Sequence, residues 1–354
     1  MSQQNQVLWY RQPARGWTEA LPLGNGHLGA MVHGGLAEER LDLNDDTLWS
    51  GYPAPWTNPN ALPALEHVRA HLRAGRVSEA QALVEGSMVG RWSQSFLPLG
   101  TLALTFADNA ATGYRRELDL TTATTTVEYQ TPQGRVRRTA FVSCTDDVLV
   151  YRITSDFPLS FSLALPSPLR SQVTVSGQTL VLKGEAPAFV APHYVTTDEP
   201  VIYGDTPETT GMRFCVLVGV QLGSGRVEAT ATGLMIHGST EAMIVLSSAT
   251  SYVDSDTHPF LCGRDEIAVA TATLRGALQK TYAELESAHV AEHQRLYNRC
   301  SMQLGEDRDA EPTDERLAKC RKGTPDAGLA ALVFHYGRYL LLGSSRPGTQ
   351  AANL

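Results

Sequence analysis

The strongest constraint on this chain is a change of period. From Leu97 to Ser248 apolar side chains recur at every second position, as in Leu102, Leu104 and Phe106. Alternation of that kind gives strands with one face in a core. Further segments rich in β-branched and aromatic residues follow at Tyr114–Leu120, Thr122–Tyr129, Val136–Ser143, Val148–Thr154, Leu159–Leu165, Leu180–Lys183, Arg213–Leu222 and Ala242–Ser248. Pro132-Gln133-Gly134, Ser176-Gly177, Gly223-Ser224-Gly225 and Gly238-Ser239 supply turn signals between them. About a dozen short strands with tight turns predict a large antiparallel β-sandwich. Residues 184–212 carry no such pattern and predict a long surface loop, a kind of segment that is often functional.

Two regions break the alternation with a helical period. Leu65, Val68 and Leu72 share one helical face, and Ser78-Glu79-Ala80-Gln81 predicts a capping box for a second short helix closed by Gly86. Beyond Ile267, helical spacing links Leu274, Leu278, Tyr282 and Leu285 and runs on to Leu296. The polar segment Gly305–Asp326 is expected to act as a linker. A further helix over Leu329–Leu342, stopped by Pro347, is apolar nearly all round and expects neighbours on most sides. The expected division is a β-sandwich over 1–266, a helical linker over 267–325 and a terminal helix over 326–354.

The 354 residues suffice for a large core. A net charge of −8 without a basic block argues against nucleic acid and anionic membrane as partners. Met-Ser-Gln-Gln-Asn-Gln has neither a basic start nor an apolar signal core, so a cytoplasmic location is expected, with no membrane span. The five cysteines are widely spaced with no CxxC pair, which predicts reduced, mostly buried thiols.

Candidate chemistry concentrates in Leu21–Gly51. LPLGNGHLGA opens a strand at Leu28, Ala30 and Val32; Gly34-Gly35 turns it; Leu41 and Leu43 begin the return strand, which ends in Asn44, Asp45 and Asp46 before Trp49. Hydrogen-bonding side chains beside an indole at a strand end suit a sugar site, although the same residues also tie down loops. Asp45 and Asp46 are adjacent, so an extended strand would point them to opposite sides, a poor arrangement for an acid–base pair spanning one bond. Trp9, Trp17, Trp49 and Trp56 are expected to be packing residues rather than a ligand platform. His289-Val290-Ala291-Glu292-His293 has the HxxEH spacing of a zinc peptidase. His289 also lies on the Leu285–Leu296 apolar face and no later helix offers a third ligand, so no metal and no cofactor are expected. His67 and His71, also four apart, fit a solvated helix face.

The blocks LPLGNGHLGA (Leu21–Ala30), EERLDLNDDTLWSG (Glu38–Gly51), PLGTLALTF (Pro98–Phe106), YRRELDLT (Tyr114–Thr121), ATSY (Ala249–Tyr252), PTDERL (Pro312–Leu317) and YGRYLLLGSSRPGTQAANL (Tyr336–Leu354) run in order along the chain. Together they resemble the N-terminal part of glycoside hydrolase family 95, the inverting α-L-fucosidases and their α-L-galactosidase relatives. Ala351 departs from the proline usual there. The resemblance implies a large β-sandwich (super-sandwich), a helical linker and the first helix of a truncated (α/α)6 catalytic barrel. It also implies fucosylated or related glycans as partners and the missing C-terminal barrel as a domain partner. The family's catalytic residues lie on that barrel, so none is assigned here. Asn44, Asp45, Asp46, Trp49 and Arg346 remain candidates for substrate binding, with a structural role, capping the first barrel helix, favoured for Arg346. The alternative is a stand-alone carbohydrate-binding β-sandwich, which would need an exposed aromatic platform.

Overall fold

The computed structural model describes residues 6–107, 110–305 and 310–352. Met1–Asn5, part of the 305–326 segment, and Asn353 and Leu354 at the end of the last family block lie outside the described residues.

The first strands are β1 (Val7–Tyr10), β2 (Leu21–Gly24), β3 (Leu28–Val32) and β4 (Glu38–Asp45). Helices α1 (Ala61–Arg73) and α2 (Val77–Ser87) interrupt the strands and pack on each other. Then come β5 (Gly100–Phe106), β6 (Thr112–Asp119), β7 (Thr124–Thr131), β8 (Gly134–Ser143) and β9 (Val148–Ala164). They are followed by β10 (Ser171–Ser176), β11 (Thr179–Glu185), the two-residue strands β12 (Phe189–Val190) and β13 (Val201–Ile202), β14 (Arg213–Leu222), β15 (Arg226–Ala229) and β16 (Gly233–Thr250). Helices α3 (Glu266–Ala277), α4 (Tyr282–Tyr297), α5 (Thr313–Arg321) and α6 (Ala327–Ser344) complete the order.

Fourteen strands form one antiparallel sheet that folds over on itself. One layer runs β1-β6-β7-β8-β9-β16-β14-β11-β10, and β2-β3-β4-β5 joins it through β9. Two strands belong to both layers. The first half of β9 pairs with β8, and its second half pairs with β5; β16 follows β9 along both halves. The stretches Val148–Thr154 and Leu159–Leu165 are therefore one bent strand rather than two. Gly238-Ser239 is not a turn. Gly238 has φ +64°, and the β16–β9 register shifts between Ile236, Ser239 and Glu241, which makes a bulge inside β16. Pro158, which has no N–H to give to a ladder, lies in the unpaired stretch of β9 opposite it.

The main core lies between the layers and takes Leu21, Leu41, Leu102, Leu149 and Phe214 from both. A second core forms where α3 and α4 cover the outer face, with Phe141, Val150, Leu217, Val245, Leu274 and Leu285. That cover explains why Phe214–Val220 and Ala242–Thr250 are buried at every position while β5 alternates.

Several local expectations are corrected. α2 has Arg76 at its N-cap with no side-chain cap, and Gly86 lies inside the helix. The reciprocal capping box belongs instead to Thr281 and Glu284. It splits the long helical pattern into α3 and α4. The 305–326 segment contains α5. Cys262 and Cys300 are exposed and Cys144 and Cys320 half-buried, so only Cys215 among the five cysteines is buried. Trp17 and Trp56 are exposed at 57% and 46%, so the four tryptophans expected to pack do not all do so. No helix among the described residues is long and apolar enough to cross a membrane.

Candidate functional site at the sheet–helix junction

The motif LPLGNGH is where α6 docks on the sheet. A Cβ on Gly24 would lie 2.5 Å from the Gly343 carbonyl oxygen, and the Gly26 amide donates to that same oxygen at 2.8 Å. Gly26 adopts φ +91°, a conformation that disfavours any side chain. Backbone cannot yield as a flexible side chain does. Gly24→Ala is therefore expected to lower stability by about 1–3 kcal/mol, read by chemical denaturation, and to loosen α6. A variant as stable as the parent would show that the approach is not constrained.

Beside this contact lies a cavity of about 400 Å³, inside the roughly 300–1,000 Å³ range of small-molecule sites. Leu23, Trp49, Phe96, Tyr339 and Leu340 give it apolar walls, and His27, Asn44, Asp46 and Gln350 line it with polar groups. Trp49 and Phe96 pack with ring centroids 5.4 Å apart. The Trp49 indole is fixed by donating Nε1–H to the Asp46 carbonyl at 2.9 Å, and Tyr339 by donating to the Pro22 carbonyl at 2.6 Å. The Asn44 carboxamide makes no hydrogen bond to another described residue and is free for a ligand.

Asp45 and Asp46 divide as the alternation implies. Asp45 is fully buried and accepts hydrogen bonds from Ser248 Oγ at 2.8 Å and Thr47 Oγ1 at 2.7 Å. Thr47 also meets Thr250, so the NDDT and ATSY blocks meet here. Asp46 sits at the cavity wall, where its carboxylate accepts from the Gln350 amide at 2.9 Å. Burial pushes its pKa up, against the Gln350 hydrogen bond and with the neighbouring Asp45 charge.

His27 joins Asp45 to Asp147. Its Nδ1 lies 2.9 Å from both oxygens of Asp147, and Nε2 lies 3.0 Å from Asp45 Oδ2. The second contact is close but poorly aligned for a hydrogen bond. Burial alone would lower the His27 pKa; the contacts to Asp147 and Asp45 outweigh it and raise the pKa to about 11. Burial likewise opposes ionisation of Asp45, and His27, Thr47 and Ser248 hold its pKa below the ordinary value. His27, Asp45 and Asp46 place ligand-type atoms within 4.8 Å of one another. With a carboxylate against each ring nitrogen and its pKa raised, however, the imidazole favours its protonated form, which has no lone pair to give a metal.

Arg346 is placed elsewhere. Its guanidinium is buried, donating to Glu292 at 2.7 Å and to the Leu342 carbonyl at 2.6 Å, so it ties the end of α6 to α4. His289 and His293 of the HxxEH segment each direct Nε2 at strand-turn carbonyls, Thr122 at 2.9 Å and Leu120 at 2.8 Å. Burial depresses both, His289 to about 4. As neutral donors stacked between Phe141 and Tyr297, they are packing groups. Sequence reasoning missed His27, Phe96 and Gln350 at the cavity. His27 and Gln350 stood inside quoted blocks, but nothing local announced that they would meet.

The class follows from this fold together with two matches. A family model described as "Glycosyl hydrolase family 65, N-terminal domain" matches residues 8–255, and one described as "Glycosyl hydrolase family 95 catalytic domain" matches residues 281–354. The first covers most of the chain, which is therefore a glycoside hydrolase N-terminal β-domain carried into catalytic-domain sequence. Alpha-L-fucosidase 2 of Arabidopsis thaliana is 31% identical over 98% of this chain and 43% of its own length. A protein of Aspergillus niger described as "Probable alpha-fucosidase A" is 29% identical over 95% of this chain and 42% of its own. The chain belongs to the glycosyl hydrolase family whose N-terminal domain the first model describes, and its last residues are similar to the family 95 catalytic domain. It spans less than half the length of these two curated relatives.

Proposed function

We propose that residues 1–354 supply the β-sandwich (1–266), helical linker (267–325) and opening barrel helix (326–354) of an inverting hydrolase. Its substrates would be glycans ending in α-L-fucosyl or α-L-galactosyl residues. The observation that carries this reading is the cavity itself. Asn44, Asp46 and Trp49 of the β-domain face Tyr339, Leu340 and Gln350, which fall within the catalytic-domain match. Asn44 and Asp46 would hold sugar hydroxyls, Trp49 would cover an apolar ring face, and Asp45 with His27 would fix the strand end that presents them.

Inverting hydrolysis needs an acid and a water-activating base about 6.5–9.5 Å apart. Asp46 is the one carboxylate among the described residues lining the cavity, so this chain by itself is proposed not to turn over substrate. Val333, Phe334, Leu340 and Leu341 of α6 are at least 36% exposed, an apolar face that the rest of a barrel would cover. The test compares residues 1–354 with a protein extended through the catalytic domain, on aryl α-L-fucosides. The long form should hydrolyse with inversion, and its Asp46→Asn variant should lose about tenfold in kcat/KM, about 1.4 kcal/mol of transition-state binding. The short form should be inactive and self-associate. Comparable turnover by both would sink the proposal. A stand-alone carbohydrate-binding role is the second reading, favoured by the exposed indoles of Trp56 and Trp92.

A further inference from the structure

A second cleft of about 470 Å³ lies beside the first cavity. One wall is made by Tyr52, Trp56 and Trp92, on the loops that flank the α1–α2 insert, and the other by Phe189 and Tyr203 of the 184–212 loop. The loop is held in place rather than hanging free. The Ala186 amide donates to the Met212 carbonyl at 2.8 Å, the Gly51 amide donates to Pro187 at 2.8 Å, and β12 pairs with β13 through Phe189 and Ile202. Trp92 meets Tyr194 edge-on at 5.7 Å, yet these two rings and Trp56 stay largely open to water.

Polar groups stand among the rings. Arg91 and Asp205 line the cleft and make no hydrogen bond or ion pair with another described residue. Gln94 accepts from Ser50 through Oε1, which leaves its amide N–H groups to donate. One cation and one anion leave the cleft without net charge, which disfavours nucleic acid and other polyanions. Planar hydrogen-bonding groups beside open aromatic faces match a neutral sugar, whose rings have an apolar C–H face and hydroxyl edges.

One paired strap carries residues of both linings. Trp49 pairs with Phe96, and the Ser50 amide donates to Ser95 at 2.9 Å. On this double strap Trp49 and Phe96 face the first cavity, while Tyr52, Trp92 and Gln94 face the second. We infer that the second cleft binds the body of a neutral oligosaccharide whose terminal residue enters the first cavity. The inference rests on the glycan reading of that first cavity, and it gives the 184–212 loop a role in recognising what lies behind the terminal sugar.

Calorimetric titration of this chain with a neutral oligosaccharide, in one form carrying a terminal α-L-fucosyl residue and one lacking it, tests the inference. Both forms should bind, the fucosylated one more tightly. Trp56→Ala and Trp92→Ala should each weaken both forms at least about tenfold, with Trp92→Phe recovering part of the loss. Both indoles are exposed, so the unfolding curves of the variants should match the parent. Unchanged binding of both forms by the alanine variants would overturn the inference, as would absence of binding by the parent. So would loss of a dimer in the Trp92 variant without an effect on sugar. Equal affinity for the two forms, with tryptophan sensitivity retained, would instead count against the reading of the first cavity and leave the second cleft standing.

Discussion

Glu39→Ala is expected to destabilise the fold by about 3–5 kcal/mol, because it strands a buried guanidinium. Arg138 of β8 and Glu39 of β4 are both inaccessible to solvent and face each other across the two layers, with Nη1 3.5 Å from Oε2. Most of the other hydrogen-bonding positions are filled, with Arg138 Nε buried and unpartnered among the described residues. Arg138 donates to the carbonyls of Gly35 and Leu36 and to Tyr129 Oη, and its guanidinium lies 4.1 Å from the Phe106 ring centroid. Glu39 accepts from Tyr151 Oη at 3.1 Å and from the amides of Gly34 and Arg40. Removing the carboxylate loses the turn between β3 and β4 its acceptor as well as its counter-charge. Urea unfolding followed by far-ultraviolet circular dichroism measures the loss. The double replacement Glu39→Leu with Arg138→Met should cost far less than Glu39→Ala alone, since apolar groups of similar volume leave no charge unpaired. A loss below about 1 kcal/mol for Glu39→Ala would mean that water or another group reaches Arg138.

His27→Gln should have the next largest effect, about 3 kcal/mol near neutral pH, by leaving the buried Asp45 carboxylate without its cation. Its signature is the pH dependence. The His27 pKa is raised from 6.5 to about 11 in the folded state. A folded pKa above the unfolded one stabilises fully below pH 6.5, and that stabilisation fades as pH rises toward 11. The parent should therefore lose stability between pH 7 and 10 by more than the variant does. Asp45, Asp147 and Asp46 are the acidic groups around His27, and Asp45, held below its ordinary pKa, keeps its charge across that window. Parallel stability curves for parent and variant would show that His27 carries no extra proton in the fold.

Much of the β-domain was legible because its physics is local. In the β4 segment, burial falls on Glu39, Leu41, Leu43 and Asp45, the inward positions of a period-two strand. The alternation thus aims Asp45 inward, and the chain turns after it to bring Asp46 to the cavity wall. Strand ends and the apolar helix α6 followed from propensity, turn residues and Pro347 in the same way. The capping box was misplaced because Ser78 and Gln81 fit the pattern as well as Thr281 and Glu284 do. Which one closes depends on where the backbone enters the helix.

Tertiary structure decided the rest, for a reason that no window of sequence contains. Glu39 and Asp45 read alike as acids on a mostly apolar face, yet one is matched by Arg138 and the other by His27, 99 and 18 residues away. The bend of β9 and β16 is what joins the two layers and sets such partners opposite each other. The cavity forms only when Gly24 lets α6 approach and Gln350 reaches Asp46, and the second cleft only when the 184–212 loop anchors near Gly51. By itself the sequence determined which residues face inward and which family the chain resembles. The meeting of side chains distant in sequence determined what charge those inward residues carry and where a sugar could sit.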